Sequence, residues 1–324
     1  MERAKKTVDR EIFREDAPLA QEVVRRSRAV MQAAQKLHMS ISGGMPGTRL
    51  RRESVEANLS RLREIGRGAF MNCTYLSSMW IPSQLQEIPE DCFAGCSSMR
   101  SFVVMADADL QSVGSHAFSG CVSLETLTNF KFLTEFTSLG ERAFSSGEVD
   151  GYTYAACTAL KSVELPSSIQ QIGKQAFAGC TAMEELEVGH AEALTVLGDG
   201  VFMDCASLKS AVLSGTGIRV LPENAIDGCR SLETLLLPES LVSIKDRAVA
   251  DCDSLSDMSI CRRDKVVSVD AGALAGTKDN GRLTIYVPYT ENHGLRNAYR
   301  LSVRWWTALF NIFTGESPVT IIQD

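Results

Sequence analysis

One nine-residue pattern recurs along this chain, and it constrains the fold more than any other feature. It reads IGKQAFAGC at 172–180 and returns at 65–73, 113–121 and 197–205, with weaker copies at 221–229 and 244–252. With the more divergent copies included, successive units begin 23 to 33 residues apart, which is the period of a repeat protein. Aligned on the apolar residue that precedes the pattern, nine units begin at Leu62, Leu85, Leu110, Phe136, Ile169, Leu194, Ile218, Leu241 and Val266.

The second half of each unit predicts a short strand. In LKSVELP (160–166), Leu160, Val163 and Leu165 alternate with Ser162 and Glu164, so one side faces a core and the other faces solvent. The IGxxAFxxC half is too short for a long helix and predicts a turn or a brief helical segment. Because one unit cannot bury its own apolar side, neighbouring units must stack. The sequence therefore predicts an α/β repeat solenoid, with a parallel sheet on one face and short return segments on the other.

Cysteine closes the pattern in most units. An insertion delays it to Cys157 in the fourth unit, and Thr277 replaces it in the ninth. Stacking places equivalent residues above one another, which predicts a ladder of buried structural thiols beside a spine of phenylalanines. The spine comprises Phe70, Phe93, Phe118, Phe144, Phe177 and Phe202.

The same spacing argues against a chemical site. A structural metal centre needs four converging ligands, whereas these cysteines are strung along an axis and the four histidines are scattered. Parallel thiols in a reducing compartment are not expected to form disulfides. The chain also lacks a phosphate-binding glycine loop and a nucleophile elbow. We therefore predict no catalytic, cofactor-binding or metal site.

The motif L-x-x-I-x-L-P followed by L-x-x-I-G-x-x-A-F-x-x-C resembles the BspA-like class of leucine-rich repeats over about residues 62–312. The segment RLTIYVPYTENHGLRNAYRLSVRWW (282–306) is similar to the closing segment of that class. The resemblance implies a binding or adhesion surface and no catalytic residues. Members are mostly bacterial and protist proteins, and many of them are secreted.

Charge divides the chain into a basic start and an acidic body. Residues 1–61 hold 13 Lys+Arg against 8 Asp+Glu, a charge of +5, and the remaining 20 against 32 give −12. We predict a helical N-terminal segment and linker at 1–48, a solenoid at 49–281, and a last strand, helical cap and tail at 282–324. The helix predicted at 16–39 carries Arg25, Arg26 and Arg28, mostly off its apolar face. It either caps the first repeat or docks a partner.

The outward strand positions are the candidate binding surface, rich in small hydroxyl residues. Glu164, Glu185 and Glu187 form an acidic patch on this presumed concave face, with Trp80 and Leu236 as flanking apolar contacts. This patch predicts a basic helix or tail as the partner; the alternative is an ordinary soluble sheet surface. An insertion at 145–156 adds two candidate interface residues, Tyr152 and Tyr154, or is a plain surface loop.

These observations predict a non-catalytic protein-protein interaction scaffold, a monomer or a subunit of a hetero-complex. The N-terminal segment has no apolar core resembling a secretion signal, so we expect an intracellular, cytoplasmic protein. The alternative is a cell-surface or secreted adhesin of the BspA-like class. An acidic body does not favour nucleic acid, and no apolar run is long enough for a membrane helix.

Overall fold

The computed structural model describes residues 64–81, 83–105, 107–188, 191–260, 267–277, 284–287 and 320–323. The helices predicted near both ends, together with Arg25, Arg26 and Arg28, lie outside these residues. The described part contains no α-helix and a single 3-10 helix, Phe130–Phe132, so its return segments are turns. The predicted α/β class is therefore corrected for this part of the chain to a parallel-sheet solenoid connected by turns. Nor does it contain a helix with the length and hydropathy of a membrane span.

One strand per repeat builds the predicted parallel sheet, which is confirmed. The long strands are β1 (Ser78–Ile81), β3 (Ser101–Val104), β5 (Thr126–Thr128), β9 (Ser162–Leu165), β11 (Glu185–Val188), β13 (Ser210–Val212), β15 (Thr234–Leu237), β17 (Asp257–Ile260), β19 (Thr284–Val287) and β20 (Thr320–Gln323). They form a three-stranded sheet, β1-β3-β5, and a seven-stranded sheet from β9 to β20. In β9 the predicted alternation holds, with Val163 and Leu165 buried and Ser162 and Glu164 exposed.

A second set of two-residue strands runs along another face of the solenoid, and the sequence did not predict it. Its members are β2 (Glu87–Ile88), β4 (Ser112–Val113), β6 (Ser138–Leu139), β10 (Gln171–Ile172), β12 (Val196–Leu197), β14 (Val220–Leu221), β16 (Ser243–Ile244) and β18 (Ser268–Val269). The short strands pair without interruption from β2 to β12, across the gap between β5 and β9. They break between β12 and β14, where the long strands are continuous, so each set bridges the break in the other.

The phenylalanine spine is confirmed as a stack of nearly parallel rings. Centroids of successive rings from Phe70 to Phe202 are 4.9 to 5.6 Å apart, and their planes differ by 2° to 15°. Phe102 packs edge-on against Phe93 and Phe118, which ties the spine to the long strands. Ile226 and Val249 continue the column as fully buried aliphatic residues. Offset stacked and edge-on rings are the favourable aromatic arrangements, so repetition of one residue gives a continuous core.

The cysteine ladder has a bonding role that the sequence did not reveal. From Cys96 to Cys252, each ladder thiol lies against a spine carbonyl of the preceding repeat: Cys121 Sγ donates to Phe93 O at 3.3 Å, and Cys205 Sγ donates to Phe177 O at 3.3 Å. In the ninth unit the Thr277 hydroxyl makes the equivalent bond to Val249 O at 2.8 Å. The position therefore requires a small buried donor, which cysteine and threonine both supply. All nine described cysteines are free thiols.

Each return segment is a pair of turns whose backbone groups form hydrogen bonds both within the segment and to the adjacent repeat. Within the first described repeat, Ala69 N donates to Gly66 O and Cys73 N donates to Phe70 O, while Phe70 N reaches the next repeat at Cys92 O, 2.7 Å away. The fourth and eighth residues of the pattern take positive φ in most copies, as at Gly68 and Asn72. That requirement explains why glycine, asparagine or aspartate so often precedes the cysteine.

Candidate protein-binding face

The outward side chains of the long strands form two rows, together called the strand face. The hydroxyl row contains Ser78, Ser101, Thr126, Ser162, Glu185, Ser210, Thr234 and Asp257. The Trp80 row contains Trp80, Val103, Thr128, Glu164, Glu187, Val212, Leu236 and Ser259. Parallel pairing in register aligns the rows within each sheet, so one row is largely polar and the other carries apolar anchors.

Trp80 is the largest apolar side chain on the strand face. Its indole is 55% exposed at the N-terminal end of the row, and its register partner Val103 is half-buried. Leu236 is half-buried farther along the row. Tryptophan exposed beside a polar rim is the residue type that most often anchors a protein partner. The sequence predicted Trp80 and Leu236 as contacts, and their binding role stays a prediction.

The acidic patch is partly compensated. Lys131 Nζ lies 2.7 Å from Glu164 Oε2, a pair that the sequence did not predict, whereas Glu185 is exposed in the hydroxyl row. Glu187 is in register with Glu164 on one side and Val212 on the other. Lys131 therefore partly neutralises Glu164, and Glu185 is an exposed carboxylate of the patch. The binding role of all three remains a prediction.

Phe132 is a contact residue that sequence reasoning missed. The 3-10 helix brings Phe132 and Lys131 to β9, and the Phe132 ring is 55% exposed with Lys131 Nζ 5.5 Å from its centroid. Two aromatic residues around one lysine, in FKF at 130–132, were the available signal. Phe132 adds an exposed aromatic beside the Lys131–Glu164 pair.

The inserted hairpin corrects the interpretation of Tyr154. The hairpin consists of β7 (Gly147–Val149) and β8 (Tyr152–Tyr154), and it folds back over earlier repeats. Tyr154 is 8% exposed, and its hydroxyl donates to Asn72 Oδ1 at 2.9 Å. It is therefore a packing residue, unavailable to a partner in this conformation. Tyr152 is 47% exposed and stays a candidate contact.

A polar cluster lies on the return side, where the sequence predicted no chemical site. Glu90, Asp91 and His116 each offer one ligand atom, and these atoms all lie within 4.8 Å of one another. Asp91 and His116 occupy the fourth pattern position of successive repeats, so stacking brings them together. This set has donor types that bind transition metals. Aligning the repeats before searching for ligands would have revealed it.

The thiols of the ladder, by contrast, are poorly suited to chemistry. Burial raises the pKa of Cys180 to about 12 and raises the pKa values of Cys96, Cys121 and Cys157 above their ordinary range. A thiol reacts as its thiolate, so these side chains are structural and unreactive.

The repeat geometry agrees with a family assignment made from sequence. A sequence model described as the BspA type leucine rich repeat region matches residues 53–149 and 147–278, with six copies. The chain belongs to the BspA-type leucine-rich repeat family. No curated protein matches the chain significantly.

Several solved bacterial structures are similar to this BspA-type chain. The Treponema pallidum leucine-rich repeat protein is 22% identical with a TM-score of 0.46, over 69% of this chain and 88% of that one. A leucine-rich cell surface protein of Faecalibacterium prausnitzii is 19% identical with a TM-score of 0.36, over 72% and 84% of the two chains. The pneumococcal vaccine antigen PcpA is 16% identical with a TM-score of 0.33, over 76% and 79%.

Proposed function

We infer that this BspA-type protein is a non-catalytic protein-binding module whose partner lies across the strand face. The observation that carries the proposal is the row that begins with the 55% exposed Trp80 and continues in register along parallel strands. Paired strands are spaced about 4.8 Å apart, and the unpaired step from β5 to β9 is no shorter, so the six intervals from Trp80 to Leu236 span at least roughly 29 Å. A helix of about 19 residues has that length.

The chemistry of the two rows defines the partner. The partner presents an aromatic or aliphatic side chain to Trp80 and basic side chains to Glu185 and Glu187, which matches the predicted basic helix or tail. Complementary charge raises the association rate and fixes the register, while the apolar anchor supplies most of the affinity. The free thiols of the described cysteines favour a reducing, intracellular compartment.

Paired variants test the strand face in affinity capture from native lysate. Trp80→Ala removes the anchor, and Tyr75→Ala is its matched control, because Tyr75 is an equally exposed aromatic (56%) outside the long strands. Glu185→Lys reverses the charge at one position of the hydroxyl row. We expect a specific partner to be retained by the wild type and Tyr75→Ala but lost by Trp80→Ala and weakened by Glu185→Lys.

Equal retention by Trp80→Ala and Tyr75→Ala would contradict the strand-face proposal. Antibody labelling of intact and permeabilised cells tests the compartment separately. Labelling of intact cells would contradict the proposal of an intracellular scaffold and support the alternative of a surface adhesin.

A further inference from the structure

Asp91 and His116 face each other across two neighbouring repeats at a distance that no hydrogen bond explains. Asp91 Oδ1 is 3.9 Å from His116 Nδ1, beyond the range of a hydrogen bond. The Asp91 side chain is 2% exposed, and its Oδ1 has no hydrogen-bond partner. A buried carboxylate oxygen without a partner is costly, so this atom points to a missing ligand.

The other carboxylate oxygen of Asp91 is already held. Arg67 donates from Nε to Asp91 Oδ2 at 2.8 Å, and its Nη2 also lies 2.8 Å from Oδ2. These contacts fix the carboxylate plane and leave Oδ1 directed at His116. Arg67 therefore orients a ligand without occupying its free oxygen, as outer-shell groups do in metal sites.

The local charge also favours a cation. The hydrogen bond to Asp91, with the charges of Asp91, Glu90 and Asp150, raises the pKa of the Arg67 guanidinium. Three carboxylates against one guanidinium leave a charge of −2 (−3 + 1) when His116 is neutral. Glu90 is exposed on the solvent side, with 47% of its side chain accessible, so an ion can enter past it.

We propose that Glu90, Asp91 and His116 bind one divalent first-row transition-metal ion, of which Zn²⁺ is the representative. One imidazole nitrogen with two carboxylate oxygens suits such ions, whereas Ca²⁺ and Mg²⁺ prefer oxygen ligands alone. Zinc bonds of about 2.1 Å in tetrahedral geometry place ligand atoms roughly 3.4 Å apart. Asp91 Oδ1 and His116 Nδ1, now 3.9 Å apart, would close by about 0.5 Å. The Glu90 carboxylate, whose ligand atom lies within 4.8 Å of the other two, would close by at most about 1.4 Å, and water would take the fourth position.

The position of the site gives the ion a structural role. Asp91 and His116 belong to the second and third repeats, and the inserted hairpin covers the histidine: a Cβ on Gly147 would lie 2.6 Å from His116 Cδ2. The ion therefore ties two repeats together beneath the hairpin. On metal binding, amide exchange should slow at residues 90–91, 115–118 and 147–154.

The test is a titration of the reduced, full-length protein with Co²⁺ followed by competition with Zn²⁺. The visible absorption of Co²⁺ reports its ligands, and a thiolate-to-cobalt charge-transfer band would reveal cysteine ligation instead. The variants are His116→Asn, which tolerates the positive φ of 54° at this position, and Asp91→Asn. Gln175→Asn is the matched control, because Gln175 occupies the same pattern position with a φ of 52° two repeats later.

We expect one Co²⁺ per chain without a thiolate band, at least about tenfold weaker binding in both ligand variants, and unchanged binding in Gln175→Asn. If Asp91→Asn fails to fold, Glu90→Gln replaces it, because the Glu90 side chain is half exposed. Absent saturable binding, a thiolate band, or equal affinity of wild type and His116→Asn would each overturn the proposal. None of these outcomes depends on the partner proposed for the strand face.

Discussion

At the residue scale, the buried thiols of the ladder make the protein lose stability as the pH becomes alkaline. Burial raises the pKa of Cys180 to about 12, against about 8.5 for a thiol in the unfolded chain. The unfolded state therefore releases protons that the native state retains, so stability is fully present below about pH 8.5 and falls between pH 8.5 and 12. Burial raises the pKa values of Cys96, Cys121 and Cys157 in the same direction, so the losses accumulate.

Urea unfolding of reduced protein at pH 8 and pH 10 measures this loss. We expect the free energy of unfolding to fall steeply between the two values. Cys180→Ala is less stable at pH 8 but should lose about 2 kcal/mol less than wild type between pH 8 and pH 10, because one shifted thiol is gone. An identical pH dependence in both proteins would show that Cys180 does not titrate in this way.

Tyr154 is the residue on which the hairpin depends. Its ring fills the space over the glycine positions of two repeats: a Cβ on Gly120 would lie 2.8 Å from Tyr154 Cδ1. Tyr154→Phe keeps the ring and loses the bond to Asn72, so we expect a loss of about 0.5–1.5 kcal/mol. Tyr152→Phe, at the exposed start of the same strand, should change the unfolding free energy by less than about 0.5 kcal/mol. Denaturant titrations in which both variants behave alike would show that the buried hydroxyl contributes nothing.

At the element scale, the second pattern position sets how closely the return segments approach. A Cβ on Gly173 would lie 2.6 Å from the backbone of Glu141 and Gly140, with no flexible side chain to yield. Gly173→Ala should therefore cost about 1–3 kcal/mol through overpacking. Lys245 occupies the same position in a later repeat and already carries a side chain, so Lys245→Ala should be nearly neutral. Thermal denaturation of the two variants tests this difference, and equal melting temperatures would contradict it.

Elements that follow from the repeated pattern were predictable from the sequence. Elements that depend on very short segments or on contacts between distant repeats were not. The alternation in β9 and the phenylalanine spine followed directly from the period. The short strands contain two residues each, too few to show an alternating pattern. The burial of Tyr154 was missed because its partner Asn72 lies 82 residues away, in a contact that no local pattern encodes.

The candidate sites show the same division. Trp80 was identified because strand alternation assigns it an outward position, and its 55% exposure agrees. The compensation of Glu164 by Lys131 was missed because the lysine lies on the 3-10 helix after β5, outside the strand positions that the sequence assigned. The neighbours Asp91 and His116 were missed because each is ordinary within its own repeat. The two side chains form a candidate metal site only because neighbouring repeats stack and bring them together.

At the scale of the whole molecule, the described repeats form a one-dimensional array in which each repeat contacts its neighbours, and only the inserted hairpin reaches farther. Backbone bonds of return segments reach the adjacent repeat, as from Phe177 N to Val201 O at 3.0 Å. Stability is then the sum of repeat terms and neighbour interfaces, so removal of a complete repeat should preserve the register. Leu194 and Ile218 begin successive units 24 residues apart, which defines such a deletion as 194–217.

Deletion of 194–217 joins Ala193 to Ile218 and places β15 beside β11, with Ile226 next to Phe177 in the spine. We expect this protein to keep the circular dichroism spectrum of the wild type and to unfold with a lower denaturant m-value, because less surface is buried. Deletion of 194–205 removes half a unit and would place a strand beside a return segment. Because this breaks the register of the stacked repeats, the variant should not unfold cooperatively. Misfolding of the full-repeat deletion, or folding of both, would show that contacts beyond the nearest neighbours hold this solenoid together.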